Sequence, residues 1–192
     1  MNLTFNGDLA NDYHSNSQRI RILTEDWVKT NMYCPICGKP VLHQYEANKP
    51  VADFFCDECR SDFELKSKES DNIKLNNKIV DGAYGTMIQR ITSFQNPNFF
   101  FLTYSKYIVN NFVLIPNHFF TPEIIEMRRP LSNNARRAGW IGCNINLHSV
   151  PDSGKIFVVK DNIEIDHEQV IKSYRKTESL KTNNLESRGW IM

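Results

Sequence analysis

Two Cys-x-x-Cys pairs constrain the fold of this 192-residue chain more than any other feature of its sequence. The first pair is Cys34 and Cys37, the second is Cys56 and Cys59, and residues 38–55 separate them. Each such turn presents two thiolates to one ion, and zinc prefers four ligands arranged as a tetrahedron. The spacing therefore predicts a four-cysteine zinc site that ties two turns of the chain together.

A redox-active dithiol and a set of unrelated buried cysteines are the two other interpretations of these pairs. No thioredoxin-like βαβ pattern surrounds either pair, which argues against a redox role. Four thiolates leave no open position for water, so the predicted zinc ion is structural and not catalytic. Cys143 stands alone in the segment WIGCNI and is interpreted as a small buried apolar residue.

Composition and charge narrow the class of protein without identifying a partner. Hydrophobic residues make up 41% of the chain, charged residues 23%, and the formal net charge is +1. Bulk charge therefore does not argue for nucleic acid, although a local basic patch is compatible with it. The sequence shows no signal peptide and no apolar run that could span a membrane. We expect a cytoplasmic protein with reduced cysteines and no small-molecule cofactor, and a monomer is favoured.

Hydrophobic periodicity predicts an α/β or α+β domain with helices packed on a mixed sheet. Residues 15–31 have the pattern of an amphipathic helix. The segments NFFFLTY and NFVLIP are continuous apolar strands, as expected in the middle of a covered sheet. Two short strands, VADFF and DFELKS, flank the second cysteine pair, and helices are predicted over residues 81–94 and over TPEIIEMRR.

Three charged residues around the second cysteine pair have the spacing of a nuclease centre. Asp53 lies near the end of the first short strand, and Glu64 and Lys66 alternate on the second, so both point to one face. A tight turn between these strands brings Asp53 close to Glu64, where two carboxylates repel unless a cation lies between them. Mg²⁺ suits that role, and Lys66 is placed to hold or activate a water near a scissile phosphate.

The same spacing also fits a solvated strand face with an ordinary Glu–Lys pair, and the spacing alone favours that interpretation. Two details favour a functional site. A metal-bound turn would fix the carboxylates on a rigid element. In addition, Asp53 follows small apolar residues, PVA, which is typical of a core strand and not of a loose loop.

Seven blocks of the sequence carry a resemblance that covers residues 15–190: SNSQRIRILTEDWV, CPICG, PVADFFCDEC, FELKSK, DGAYGTM, NPNFFFLTY and ARRAGWIGCNI. In this order they resemble the catalytic domain of the DpnI, or Dam-replacing, family of methyl-directed restriction endonucleases. The resemblance implies a PD-(D/E)XK nuclease core with a zinc ribbon-like insert over about residues 32–60. Relatives continue into a C-terminal winged-helix domain, and we expect a single nuclease domain over residues 1–192 without it.

The resemblance also implies a role for each matching residue. Asp53, Glu64 and Lys66 match the catalytic trio, and the Leu65 carbonyl joins Asp53 and Glu64 as a ligand of Mg²⁺. The four cysteines match the zinc ligands. The implied substrate is double-stranded DNA bearing N6-methyladenine in GATC, which is cut by hydrolysis of the phosphodiester bond.

The segment MRRPLSNNARRAGWIGC is the most basic stretch of the chain. Arg136 and Arg137 are candidates for contacts to phosphates or guanine edges. Trp140 follows them closely and could pack against bases or a methyl group, or wedge into a groove. The other interpretation is an exposed basic loop with Trp140 in the core; the resemblance favours DNA contact.

Three functions are compatible with these features. The first is a Mg²⁺-dependent endonuclease specific for adenine-methylated DNA. The second is a zinc-ribbon DNA-binding module without catalysis, in which Asp53, Glu64 and Lys66 are only surface charges. The third is a less specific nuclease for repair or phage defence on the same fold. The binding module gives the intact Asp…Glu-x-Lys pattern no role, so the sequence favours the first function.

Overall fold

The computed structural model describes residues 1–46, 52–70, 78–178 and 180. Within these residues the helices are α1 (Asn16–Asn31), α2 (Tyr84–Ile91) and α3 (His167–Glu178). The strands are β1 (His43–Gln44), β2 (Phe54–Phe55), β3 (Asp62–Glu69), β4 (Lys78–Ala83), β5 (Asn98–Ser105), β6 (Ile108–Ile115), β7 (Ile125–Met127), β8 (Gly142–Asn146), β9 (Ile156–Lys160) and β10 (Ile163–Glu164). No helix in the described ranges is both long and apolar enough to cross a membrane.

The strands form one large sheet and one small sheet. The large sheet has seven strands in the order β1-β2-β3-β5-β6-β9-β10, and the small sheet has the order β4-β8-β7. Strands β3 and β5 are parallel, whereas the other neighbours in both sheets are antiparallel. The large sheet is therefore mixed, and the prediction of a mixed α/β fold with helices flanking the sheet is confirmed.

Strands β5 and β6 are covered on both faces, which explains their continuous apolar sequences. Successive side chains of β5 point into two different cores. Phe100 and Leu102 pack in a core that also contains residues of α1 and α3. Phe99 and Phe101 pack in a second core with residues of α2 and the small sheet. The alternation along one strand thus joins two layers of helices to the same sheet.

Helix α1 forms because its apolar residues recur at helical spacing and face the first core. Leu23, Trp27 and Val28 are buried there. The Trp27 indole donates a 2.7 Å hydrogen bond from Nε1 to the Asn2 carbonyl. Its ring also packs edge-on against Phe112, with centroids 5.3 Å apart. Burial of side chains of this size stabilises the fold by about 1.5–3 kcal/mol each. This burial holds α1 against the large sheet.

Two of the predicted helices differ from the structure. The helix predicted over residues 81–94 is shorter, because residues 81–83 belong to β4 and α2 begins at Tyr84. The segment TPEIIEMRR is not a helix: Pro122–Ile124 form a 3₁₀ turn, and Ile125–Met127 form β7. In both places a strand forms by pairing with β8. Such pairing is set by distant residues and leaves no local periodic signal.

The parallel pair β3–β5 requires a crossover connection. That crossover contains β4 and α2, which pack on the second core. It brings β4 close to β3, since Lys68 Nζ donates a 3.0 Å hydrogen bond to the Lys78 carbonyl. Side chains of β4 and α2 are therefore within reach of the face of β3 that carries Glu64 and Lys66.

Candidate functional site

Two cysteine turns meet at one end of the large sheet. The first follows α1 and is closed by hydrogen bonds from the Gly38 amide to the Cys34 carbonyl, 2.9 Å, and from the Cys34 amide to the Lys39 carbonyl, 2.7 Å. Gly38 has φ +86°, a left-handed conformation that favours glycine. The second turn joins β2 to β3. It is closed by a 3.0 Å hydrogen bond that the Cys56 amide donates to the Ser61 carbonyl.

The four predicted zinc ligands lie together. The sulfurs of Cys34, Cys37, Cys56 and Cys59 are all within 4.8 Å of one another. The Cys34 and Cys59 sulfurs are 3.6 Å apart, as are those of Cys37 and Cys56. Four convergent thiols are the donor set that a structural zinc ion takes, so this cluster could hold zinc. Burial raises the pKa of the Cys34 and Cys56 thiols, and a bound cation would offset that cost by stabilising the thiolates.

Asp53 is held against β3 at an open edge of the strand. Strand β2 pairs with Asp62 and Phe63, and the residues of β3 that follow line a cleft of about 470 Å³ together with Asp53 and α1. The Leu65 amide donates a 2.7 Å hydrogen bond to Asp53 Oδ2. Because the N–H and C=O of one strand residue point to the same edge, the Leu65 carbonyl also faces this side.

Burial raises the pKa of Asp53, and the nearby negative charge of Glu64 raises it further, although the Leu65 hydrogen bond opposes both effects. Two carboxylates in a half-enclosed cleft therefore carry a charge cost that a cation would relieve. Both carboxylates line the same cleft. The cleft thus brings together two of the three groups predicted to hold Mg²⁺, with the third on the strand edge between them.

Glu64 is the more buried of the two carboxylates, with 9% of its surface exposed. Its Oε1 lies 2.8 Å from Lys66 Nζ, and its Oε2 lies 2.7 Å from Arg90 Nη2. Both oxygens of Glu64 are therefore paired with cationic side chains of the protein. A metal ion at Glu64 would take the place of one of these contacts, and the donor set of the cleft fits Mg²⁺, which prefers carboxylate and carbonyl oxygens.

Lys66 is a charged ammonium in this setting. Burial lowers the pKa of Lys66, but the negative charges of Glu64 and Asp81 outweigh it and hold the pKa above the ordinary value for lysine. An ammonium has three donors and no acceptor. Lys66 can therefore orient a water or a phosphate oxygen in the cleft, but it cannot take a proton from either.

Among the residues that the structure describes, four further charged side chains surround the trio, and the sequence pattern does not predict them. Asp81 on β4 and Arg90 on α2 contact Lys66 and Glu64. On α1, Arg21 pairs with Glu25, whose second oxygen accepts a 2.9 Å hydrogen bond from Gln44 Nε2. The i, i+4 spacing of Arg21 and Glu25 on the polar face of α1 is a signal that could have pointed to this wall of the cleft.

The predicted DNA contacts lie in the loop between β7 and β8, here called the basic loop, residues 128–141. Arg136 and Arg137 are exposed, and Trp140 is half-buried. The Arg137 guanidinium stacks 4.7 Å from the centroid of the Trp140 ring. The Leu131 amide donates to the Trp140 carbonyl at 2.9 Å. The loop is therefore internally bonded, and Trp140 is not a core residue.

Gly142 explains how the Trp140 ring is seated. A Cβ at Gly142 would lie 2.8 Å from two ring carbons of Trp140, so only glycine lets the ring pack there. The Tyr84 amide, at the start of α2, donates a 3.1 Å hydrogen bond to the Ile141 carbonyl. These contacts attach the end of the basic loop to the β4–α2 junction, close in sequence to Asp81 and Arg90.

The model of one protein family, the DpnI: Dam-replacing family, matches residues 1–183. The match includes both cysteine turns, the cleft residues on β3 and the basic loop. It spans nearly the whole sequence, in agreement with the resemblance seen in seven separate blocks. The chain belongs to the DpnI, or Dam-replacing, family.

Proposed function

We propose that this protein is a Mg²⁺-dependent endonuclease that hydrolyses phosphodiester bonds of double-stranded DNA at GATC sites containing N6-methyladenine. The observation that supports it best is the convergence of Asp53, Glu64 and Lys66 on one cleft. Family membership supports a restriction endonuclease acting on DNA. The preference for methylated adenine rests on the family resemblance.

In this proposal Asp53, Glu64 and the Leu65 carbonyl hold Mg²⁺. Asp53 and Glu64 line one cleft together with Leu65, which supports this assignment. When bound, the ion would lower the pKa of a water and offset negative charge in the transition state. Lys66 has the role of a donor: its ammonium orients the attacking water or a phosphate oxygen within the cleft.

Zinc has a separate, structural role in this proposal. The cysteine cluster joins the segment after α1 to the turn between β2 and β3. The cluster thus ties the end of α1 to the β2–β3 hairpin, and residues of α1 and β3 line the cleft. A zinc ribbon-like insert over about residues 32–60 would thus fix Asp53 against Glu64, while the ion at the carboxylates takes part in the chemistry.

Arg136, Arg137 and Trp140 are the proposed DNA contacts. The two arginines are exposed and suited to phosphates or guanine edges. The stack of Arg137 on Trp140 presents a flat, cationic surface, which suits packing on bases or a wedge in a groove. The loop bonds that hold Trp140 reduce the entropy lost on binding.

Incubation of matched plasmids with Mg²⁺ tests the proposal. One plasmid carries N6-methyladenine in its GATC sites and the other is unmethylated. We expect cutting of the methylated plasmid alone. Equal cutting of both would replace the proposal with a less specific nuclease. No cutting, with DNA binding retained, would leave a zinc-containing binding module without catalysis.

Replacement of a site carboxylate tests the assignment of residues. Glu64→Gln keeps the shape of the side chain and removes its charge, and we expect cleavage to fall by roughly a hundred- to a thousandfold, the scale of removing electrostatic stabilisation from an active site. Zinc content should not change, because Glu64 is not one of the four proposed zinc ligands. Glu168→Gln, at an exposed position on α3, is the matched control. Full activity of Glu64→Gln would refute the site.

A further inference from the structure

In the described part of the chain, two charged side chains from outside the β2–β3 hairpin contact the proposed trio. Lys66 Nζ lies 3.0 Å from each carboxylate oxygen of Asp81 and 2.8 Å from Glu64 Oε1. Arg90 Nη2 lies 2.7 Å from Glu64 Oε2. We call these four residues, Asp81, Lys66, Glu64 and Arg90, the charge clasp. Their formal charges cancel, so the clasp is balanced by the chain's own side chains.

The two carboxylates that share Lys66 come from different sheets. Glu64 and Lys66 lie on β3 of the large sheet, whereas Asp81 lies on β4 of the small sheet. The register of β4 against β8 shifts between Asp81 and Ala83, which marks a β-bulge. Bulges re-aim side chains and often occur beside active sites. The position of Asp81 is thus set independently of the hairpin that carries Glu64.

The clasp is largely shielded from water. The exposed fractions of the side chains are 11% for Glu64, 15% for Asp81, 19% for Lys66 and 25% for Arg90. In such surroundings a charge that loses its partner is strongly disfavoured. Any event that withdraws Glu64 from Lys66 therefore carries a penalty, unless another anion remains in contact with the ammonium.

Binding of a divalent cation to Glu64 is such an event. The cation and Lys66 compete for the same carboxylate, and with Glu64 as its only partner Lys66 would be left buried and unpaired. Asp81 removes this conflict, because it offers both oxygens at 3.0 Å from Nζ. Resting on the function proposed above, we propose that Asp81 is a positioning residue that retains the Lys66 ammonium when a divalent cation takes Glu64.

Metal binding without DNA is the first measurement of this role. Asp81→Asn keeps the shape of the side chain and removes its charge. We expect the rise in melting temperature on titration with Mg²⁺ to require roughly ten- to hundredfold more Mg²⁺ than in the wild type. The Mg²⁺ concentration for half-maximal cleavage should rise by a similar factor. Asp152→Asn, at a fully exposed position, is the matched control and should change neither.

A double-mutant cycle separates positioning from a direct attraction between Asp81 and the cation. Lys66→Met removes the ammonium and keeps an unbranched side chain. If Asp81 acts through Lys66, adding Asp81→Asn to Lys66→Met should change the Mg²⁺ affinity by less than about twofold. An equal loss in both backgrounds would overturn the proposal, as would no loss in the wild-type background or no binding of Mg²⁺ by the wild type.

Folding and the proposed reaction are controlled separately. Zinc content and circular dichroism report folding of each variant, and Asp81→Ser replaces Asp81→Asn in the cycle if the latter does not fold. Asp81→Glu keeps the charge and should stay within about threefold of the wild-type Mg²⁺ requirement; a tenfold loss would contradict the proposal. A wild type that binds Mg²⁺ but cuts no DNA would contradict the proposed function. The double-mutant cycle, measured by melting temperature, would still decide the role of Asp81.

Discussion

Asp53 shows, at the scale of one residue, how the electrostatics of the candidate site affect the stability of the fold. Burial raises the pKa of its carboxyl, and the charge of Glu64 adds to the effect. Such a carboxyl has a higher pKa in the folded state than in the unfolded state. Its contribution to the stability of the fold is fully present at pH values below the unfolded-state pKa. That contribution is lost as the pH rises through the folded-state pKa. At neutral pH, without Mg²⁺, the ionised Asp53 is therefore a cost to the fold.

Asp53→Asn should therefore stabilise the protein at neutral pH in the absence of Mg²⁺. We expect a gain of about 1 kcal/mol in the free energy of unfolding, on the scale of single stabilising substitutions. The asparagine Oδ1 can still accept the hydrogen bond of the Leu65 amide. Urea denaturation over a pH series measures the gain, which should shrink as the pH falls through the raised pKa of Asp53.

Added Mg²⁺ gives the complementary result for Asp53. The ion should stabilise the wild type, because it binds the folded state, and should stabilise Asp53→Asn much less. Asp152→Asn, whose carboxylate is exposed, is the control for a general effect of removing one negative charge. A variant less stable than the wild type at neutral pH would show that the Asp53 carboxylate contributes more through its contacts than its ionisation costs.

The basic loop is the element through which the chain is proposed to contact DNA. The loop connects β7 to β8, and the Arg128 amide donates a 3.0 Å hydrogen bond to the Gly142 carbonyl. Gly139 adopts φ +77°, a conformation that permits the turn back to Trp140. Backbone bonds thus fix the loop, while its arginine side chains remain exposed.

Removal of both exposed arginines should weaken DNA binding through lost phosphate contacts. In a Glu64→Gln background, which prevents cleavage, Arg136→Ala with Arg137→Ala should reduce the slope of log K against log salt by about 2. Arg175→Ala, an exposed arginine on α3, is the control and should leave the slope unchanged. Fluorescence anisotropy at several salt concentrations provides the measurement. An unaltered slope in the double variant would exclude these arginines from the phosphate contacts.

Local patterns predict some elements of this fold and miss others for a physical reason. The helix α1 and the strands β5 and β6 have strong periodic or continuous apolar signals, and they form as predicted. Strand β4 has no such signal, since its formation depends on pairing with β8, which is distant in the sequence. The helix predicted over residues 81–94 therefore includes Asp81, and the contact of Asp81 with Lys66 depends on a tertiary arrangement that spacing does not encode.

At the scale of the whole molecule, the cysteine cluster connects the two walls of the cleft. Cys34 and Cys37 follow the end of α1, whereas Cys56 and Cys59 lie in the turn between β2 and β3. The spacing of the cysteines is enough to predict this cluster, because metal ligands follow a strict geometric rule. The position of the cleft relative to the cluster is not encoded in that rule, and it depends on how α1 packs on the large sheet.

Removal of zinc should therefore weaken the fold and abolish cleavage together. With its own two cores the protein is not expected to unfold completely, and a loss of about 3 kcal/mol would lower the melting temperature by roughly 6–12 °C in a chain of this size.

Because burial raises the pKa of Cys34 and Cys56, zinc should be released more readily as the pH falls. Zinc content, melting temperature and cleavage are measured after chelation and again after Zn²⁺ is restored, with Mg²⁺ in excess throughout. Activity should return with Zn²⁺ and not with Mg²⁺ alone; full activity in the zinc-free protein would show that the cluster does not position the cleft.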